Sequence, residues 1–155
     1  MTENTAMLTS LIGLLRSKGL RISFAESLTG GMISSGIVDI SGASDVFDGA
    51  VVCYTNDVKM NVLNVEREVI DEYTEVSAQC ARQMAYGVRT LLKSDISVSV
   101  TGYADGQQGG TVYIGFATKD ENDSYLMHFK GNRNEIRRAT SLEAYSLIRK
   151  KAEAL

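Results

Sequence analysis

Apolar residues recur at helical spacing from the start of the chain. Met7, Leu8, Leu11, Ile12 and Leu15 share one face, and Gly19 after Lys18 supplies a C-terminal stop. The period then drops to two: Ile22 and Phe24 alternate in "RISFAE", a short strand. "SLTGG" follows, with Thr29 placed to cap a helix that starts at the glycines and turns Met32, Ile33 and Ile37 inward. "SGAS" (Ser41 to Ser44) is a turn, and "GAVVCYT" (Gly49 to Thr55) reads as a buried strand. "NDVKMNVL" is a short helix capped by Asn56. Ser77 opens a longer one with Ala81, Met84, Val88, Leu91 and Leu92 on its apolar face.

"DISVSVTG" alternates Ile96, Val98 and Val100 with serine, the pattern of a half-buried strand. "GTVYIGFAT" and "SYLMHFKG" form a hairpin across "KDEND". A capping box, Asn132 with Glu135, opens a last helix that buries Ile136, Thr140, Ala144, Leu147 and Ile148. The resulting order, α-β-α-β-α-α-β-β-β-α, implies one α/β domain over residues 1–155, with a mixed sheet covered on both faces. Ligands of such folds gather at the carboxyl ends of strands. The segments after Glu26, Cys53 and Val100 are therefore candidate walls of one site.

Composition narrows the partners. The 155 residues carry a net charge of −3, which gives no electrostatic reason to expect nucleic acid or an anionic membrane. No apolar run is long enough to span a bilayer, and no signal peptide opens the chain, so a cytoplasmic protein is expected. The two cysteines, Cys53 and Cys80, read as reduced thiols. With a single histidine they cannot make a four-ligand Cys/His zinc site, and no spacing argues for a metal or another cofactor.

Ser27 is the candidate nucleophile, and it needs a base. The single histidine, His128, lies in a strand between Met127 and Phe129 and suits a structural role. A lysine is the more plausible base, as in Ser-Lys enzymes. Such a lysine must be largely neutral, which asks its surroundings for about 4 kcal/mol. Lys59 follows a strand end by one helical turn, and Tyr54 could relay a proton. Taken singly, each is better read in a plain role: turn serine, core tyrosine, solvated lysine. The Gly30-Gly31 pair at a helix start could hold an anion, or could serve only tight packing. Arg133, Arg137 and Arg138 oppose the dipole of the last helix, which fits either a bound anion there or a solvated basic edge.

The run Ala25 to Val65, "AESLTGG…SGASDVFDGAVVCYTNDVK…LNV", resembles the CinA C-terminal domain family, whose pattern joins AES-x-TGG to YxN-x-x-K. The likeness continues through Val76-Ser77, "SVTG", "GTVYIGFAT" and "GNRNEIRR" and covers nearly the whole chain. It implies a three-layer α/β/α sandwich, in the length range of stand-alone members. It implies an amidohydrolase that converts nicotinamide mononucleotide to nicotinate mononucleotide and ammonia without a cofactor, acting as a homo-oligomer. Carried across, Ser27 is the nucleophile with Tyr54 and Lys59 as activating partners. Thr29, Gly30, Gly31, Asn56, Thr101, Gly102, Arg133 and Arg137 fall on positions near the substrate. Two departures stand out. "TGYADGQQGGTV" replaces a longer, proline-bearing glycine motif, which predicts a more open or reshaped site around Tyr103 to Gly109. Ala78 stands where the family has a glutamate. The alternative is a paralogue that keeps the fold as a nucleotide-binding or interaction module.

Overall fold

A computed structural model describes residues 2–155. Helix α1 (Glu3–Lys18) leads into strand β1 (Ile22–Glu26), helix α2 (Met32–Val38), a single 3-10 turn (Ala43–Asp45) and strand β2 (Phe47–Val52). Three helices follow, α3 (Asn56–Leu63), α4 (Arg67–Tyr73) and α5 (Ala78–Leu92). Strands β3 (Ile96–Gly102), β4 (Thr111–Ala117) and β5 (Asn122–His128) precede the long helix α6 (Arg133–Ala154). Helix α4 is the one α-helix that the sequence pattern did not reveal; it has seven residues and buries none of them.

The sheet order is β2-β1-β3-β4-β5. β1 runs parallel to β2 and β3, and β3, β4 and β5 are antiparallel neighbours. Its two faces differ in side-chain size. One presents Ile22, Phe24, Ile96, Val98, Val100, Ile114 and Phe116 to the apolar residues of α1, α2 and α6. The other is small where α5 crosses it, because Ala25, Ser99 and Gly115 stand side by side in register. A Cβ on Gly115 would sit 2.2 Å from the Ala81 carbonyl oxygen, so glycine is what lets α5 lie this close.

This asymmetry corrects the reading of β3. Its serines do not face solvent: Ser97 and Ser99 are fully buried. Ser99 donates to the Ala81 carbonyl at 2.6 Å, and the Ser97 hydroxyl joins those of Ser23 and Ser94 in a closed hydrogen-bonded ring. Alternating serine under a helix looks like alternating serine under water, since both satisfy the hydroxyl. The reverse correction holds for β2. It is an edge strand of alternating exposure that ends at Val52, short of Cys53. Leu91, expected inward on α5, is half exposed.

Gly19 ends α1 in the left-handed region, at φ 65°. Ser77 caps α5 through the Cys80 N–H, and α6 has its capping box. Two other caps differ from expectation. Thr55, not Asn56, caps α3 by accepting the Val58 N–H at 3.3 Å. Thr29 does not cap α2 at all; that role falls to a carboxylate described below.

Candidate active site

The parallel strands β1, β2 and β3 end on the same side of the sheet. The first connection, through α2, lies on one face and the second, through α5, on the other. Their exits form a cavity of about 390 Å³ lined by Ser27, Leu28, Tyr54, Thr55, Asn56, Lys59, Glu75, Val76, Thr101 to Asp105, and Arg133. The three segments expected to share one rim do so.

Ser27 is the first residue after β1. Its N–H donates to the Val100 carbonyl at 3.2 Å, which ties it to β3, and its carbonyl accepts the Gly30 N–H at 3.1 Å in a tight turn. Gly30 and Gly31 take φ values of 59° and 104°, which a side chain would strain. Beneath this turn lies the Glu26 carboxylate, fully buried. Oε1 accepts the Thr29 hydroxyl at 2.7 Å, the Gly31 N–H at 3.2 Å and the Ile33 N–H at 2.9 Å. Oε2 accepts the Ser34 N–H at 3.0 Å and the Ser34 hydroxyl. A buried carboxylate is tolerated when its lone pairs are filled, and the positive end of α2 adds to that.

The N–H groups at the glycine pair do hold an anion, and it is the protein's own carboxylate. The N–H groups from Gly30 to Ser34 are all committed. Those of Leu28 and Thr29, next to Ser27, have no acceptor among the described residues.

Lys59 sits one turn into α3. Long helical side chains lean toward the helix N-terminus, and this one reaches back to the chain before Thr55. Its Nζ donates to the Cys53 carbonyl at 2.9 Å, the Tyr54 carbonyl at 3.4 Å and Ser27 Oγ at 3.2 Å. Only 1% of Lys59 is exposed, so it is not the solvated helix charge its neighbours would suggest. The contact sets an amine against a hydroxyl inside the cavity. A neutral amine can donate its two hydrogens to the two carbonyls and offer its lone pair to the Ser27 hydroxyl.

Tyr54 is 60% exposed, so the core reading fails. It meets Lys59 through its backbone carbonyl. Its hydroxyl accepts from Arg133 at 3.2 Å. Arg133 also pairs with Asp105 at 2.9 Å, and both contacts, Asp105 first, raise the pKa of its guanidinium. The short Tyr103 to Gly109 loop thus reaches the start of α6 across the cavity mouth.

Thr101 donates its hydroxyl to the Glu75 carbonyl at 2.6 Å. Asn56 and Gly102 line the same cavity. Thr29, Gly30, Gly31 and Arg137 do not. They border a second hollow of about 620 Å³ between α1, α2 and α6 that contains no nucleophile and base in contact. Arg137 is spent on the backbone: it donates to the Leu28 carbonyl at 2.8 Å, the Thr29 carbonyl at 3.0 Å and Asn134 Oδ1 at 3.0 Å. His128 is exposed on β5 and lines neither hollow.

Sequence reasoning left Glu26, Glu75 and Asp105 without roles. Glu26 carried a readable signal, an acid immediately before a helix start rich in free N–H groups. Glu75 and Asp105 lie in irregular segments with no such mark. Both cysteines are buried and unpaired, and burial pushes the thiols up, Cys53 to about 11 and Cys80 to about 12. Among the described residues no His, Cys, Asp or Glu cluster could hold a metal, and no helix is long and apolar enough to cross a membrane.

The pattern of the CinA C-terminal domain matches residues 4–152. The chain is 43% identical over 156 residues to a competence-damage inducible protein of Bacillus subtilis (strain 168), covering 97% of this chain and 38% of that protein. A CinA-like protein of Dictyoglomus turgidum is 42% identical over 147 residues, 90% of this chain and 36% of that one. The chain thus spans little more than a third of the length of these curated relatives. The crystal structure of a CinA superfamily protein from Klebsiella pneumoniae 700603 superimposes with a TM-score of 0.95 at 25% identity, covering 99% of this chain and 100% of that one. The competence/damage inducible protein CihA of Agrobacterium tumefaciens does so at 0.90 with 31% identity, covering 96% and 94%. With its pattern matched from the first helix to the last, this chain belongs to the CinA C-terminal domain family.

Proposed function

We propose that this chain is a serine amidohydrolase that converts nicotinamide mononucleotide to nicotinate mononucleotide and ammonia. The observation that carries the reading is the 3.2 Å contact between Lys59 Nζ and Ser27 Oγ inside a cavity of nucleotide-compatible size. With Lys59 neutral, its lone pair takes the hydroxyl proton as Ser27 Oγ bonds to the carboxamide carbon. The N–H groups of Leu28 and Thr29 are the donors nearest in sequence to the charge that develops on the carbonyl oxygen. Lys59 then returns the proton to the departing nitrogen. Ammonia leaves, and an ester joins Ser27 to the nicotinoyl carbon. Water, deprotonated by the same amine, attacks that ester and releases the carboxylate and the serine.

Arg133, about half exposed at the mouth, is the cation available to the 5′-phosphate, which would displace Asp105 from it. The Tyr54 hydroxyl moves with Arg133 in this scheme and is the proton relay if it swings inward. A cytoplasmic homo-oligomer belongs to the same reading, and light scattering tests the assembly.

A second reading has its own support. Asp105 already occupies Arg133, as it would in a module that no longer turns over its nucleotide. Ammonia release from nicotinamide mononucleotide by the wild type and by Ser27→Ala separates the two. Release that depends on Ser27 supports the amidase. Nucleotide binding with no release supports the module.

A further inference from the structure

Lys59, Glu75, Asp105 and Arg133 are the charged residues that line the cavity. Three of them are engaged: Lys59 by two carbonyls and Ser27, and Asp105 and Arg133 by each other. Glu75 is the exception. It is partly buried, yet its carboxylate forms no ion pair among the described residues. No hydrogen bond reaches that carboxylate either, and the bonded atom of Glu75 is its carbonyl oxygen, held at 2.6 Å by the Thr101 hydroxyl. Two residues on, Ser77 fixes the start of α5. The backbone of Glu75 is therefore anchored on both sides, while its charge has no partner. A carboxylate that has lost part of its water without gaining a counter-charge is stabilised when a cation enters the same cavity.

We infer that Glu75 is a specificity-determining residue that faces a positively charged ring of the bound nucleotide. The inference rests on the substrate reading above and adds to it. A nicotinamide joined to ribose through its ring nitrogen is a pyridinium cation. Its 1,4-dihydro form carries the same carboxamide, ribose and phosphate on a neutral ring. The charges of the cavity then match the ligand at both ends, with Arg133 for the phosphate and Glu75 for the ring.

The test compares dissociation constants of nicotinamide mononucleotide and its dihydro form, measured by calorimetry on wild type, Glu75→Gln and Glu75→Asp. Glutamine keeps the shape and the backbone bond to Thr101, so folding is not at stake. At low salt Glu75→Gln is expected to weaken the cationic nucleotide about five- to tenfold and to leave the dihydro form within about twofold. Glu75→Asp should recover part of the loss, and added salt should shrink the difference. Equal changes for both nucleotides, no change for either, or a wild type that binds neither would overturn the inference. A protein that prefers the cation through Glu75 but releases no ammonia would keep this inference and lose the amidase reading.

Discussion

The Glu26 carboxylate accepts the Ile33 N–H at 2.9 Å, across the turn that carries Ser27. With its four other donors, this bond fixes the exit of β1 against the start of α2. Ser27 is thereby held from below by a buried charge.

Replacing that charge should be costly. Glu26→Gln keeps the volume but turns an amide N–H₂ toward donors that need an acceptor. A loss of about 3 kcal/mol is expected, the scale of a broken buried charge network. The urea midpoint of the variant measures it. A shift equivalent to less than about 0.5 kcal/mol, typical of surface changes, would mean that the network does not hold the turn.

Arg133 and Arg137 are four residues apart on α6, and the structure separates their contacts. Arg137 braces the Leu28 and Thr29 carbonyls, so Arg137→Ala should cost about 1–2 kcal/mol of stability and lower kcat through the loosened turn. Arg133 is exposed at the cavity mouth, so Arg133→Ala should leave the melting temperature alone and raise KM about tenfold, as for a lost charge-assisted phosphate contact. Steady-state kinetics and thermal melts on both variants decide. A reversed pattern would put the phosphate on the other side of the turn.

The buried thiols set an alkaline limit. Their pKa values stand above the ordinary 9.0 because burial disfavours the thiolate, with Lys59 pulling the other way. Raised values give a contribution that is fully present below pH 9.0. Above it the unfolded chain releases protons that the folded chain keeps, so stability falls as the pH climbs toward the folded values. The loss approaches about 1 kcal/mol per thiol near pH 10. Urea midpoints at pH 8 and pH 10, under reductant, should drop more for the wild type than for a Cys53→Ala, Cys80→Ala variant. Equal drops would contradict the assignment.

Much of this arrangement was legible in the sequence, because it depends on local rules. Period and caps mark α1, β1, α5 and α6, and the parallel strand ends predict where a site forms. The errors arise where packing outranks pattern. The serines of β3 read as solvent-facing because nothing local records that α5 lies on Gly115. Lys59 reads as a surface charge because its burial depends on the carbonyls of Cys53 and Tyr54. The glycine pair leaves an anion site and plain packing both open, because nothing local records that Glu26, five residues before Gly31, folds back onto it. Arg137 gives no local sign that it braces the turn, because the Leu28 and Thr29 carbonyls it reaches lie more than a hundred residues away.

The contact between Lys59 and Ser27 is the centre of the account, and ammonia release from nicotinamide mononucleotide tests it most directly. The wild type is expected to release ammonia. Ser27→Ala and Lys59→Met should each lose at least about a thousandfold in kcat, and the double variant should lose little more, as for residues that act as a unit. Both single variants should still bind the nucleotide. Ammonia released at the wild-type rate by either single variant would contradict the account.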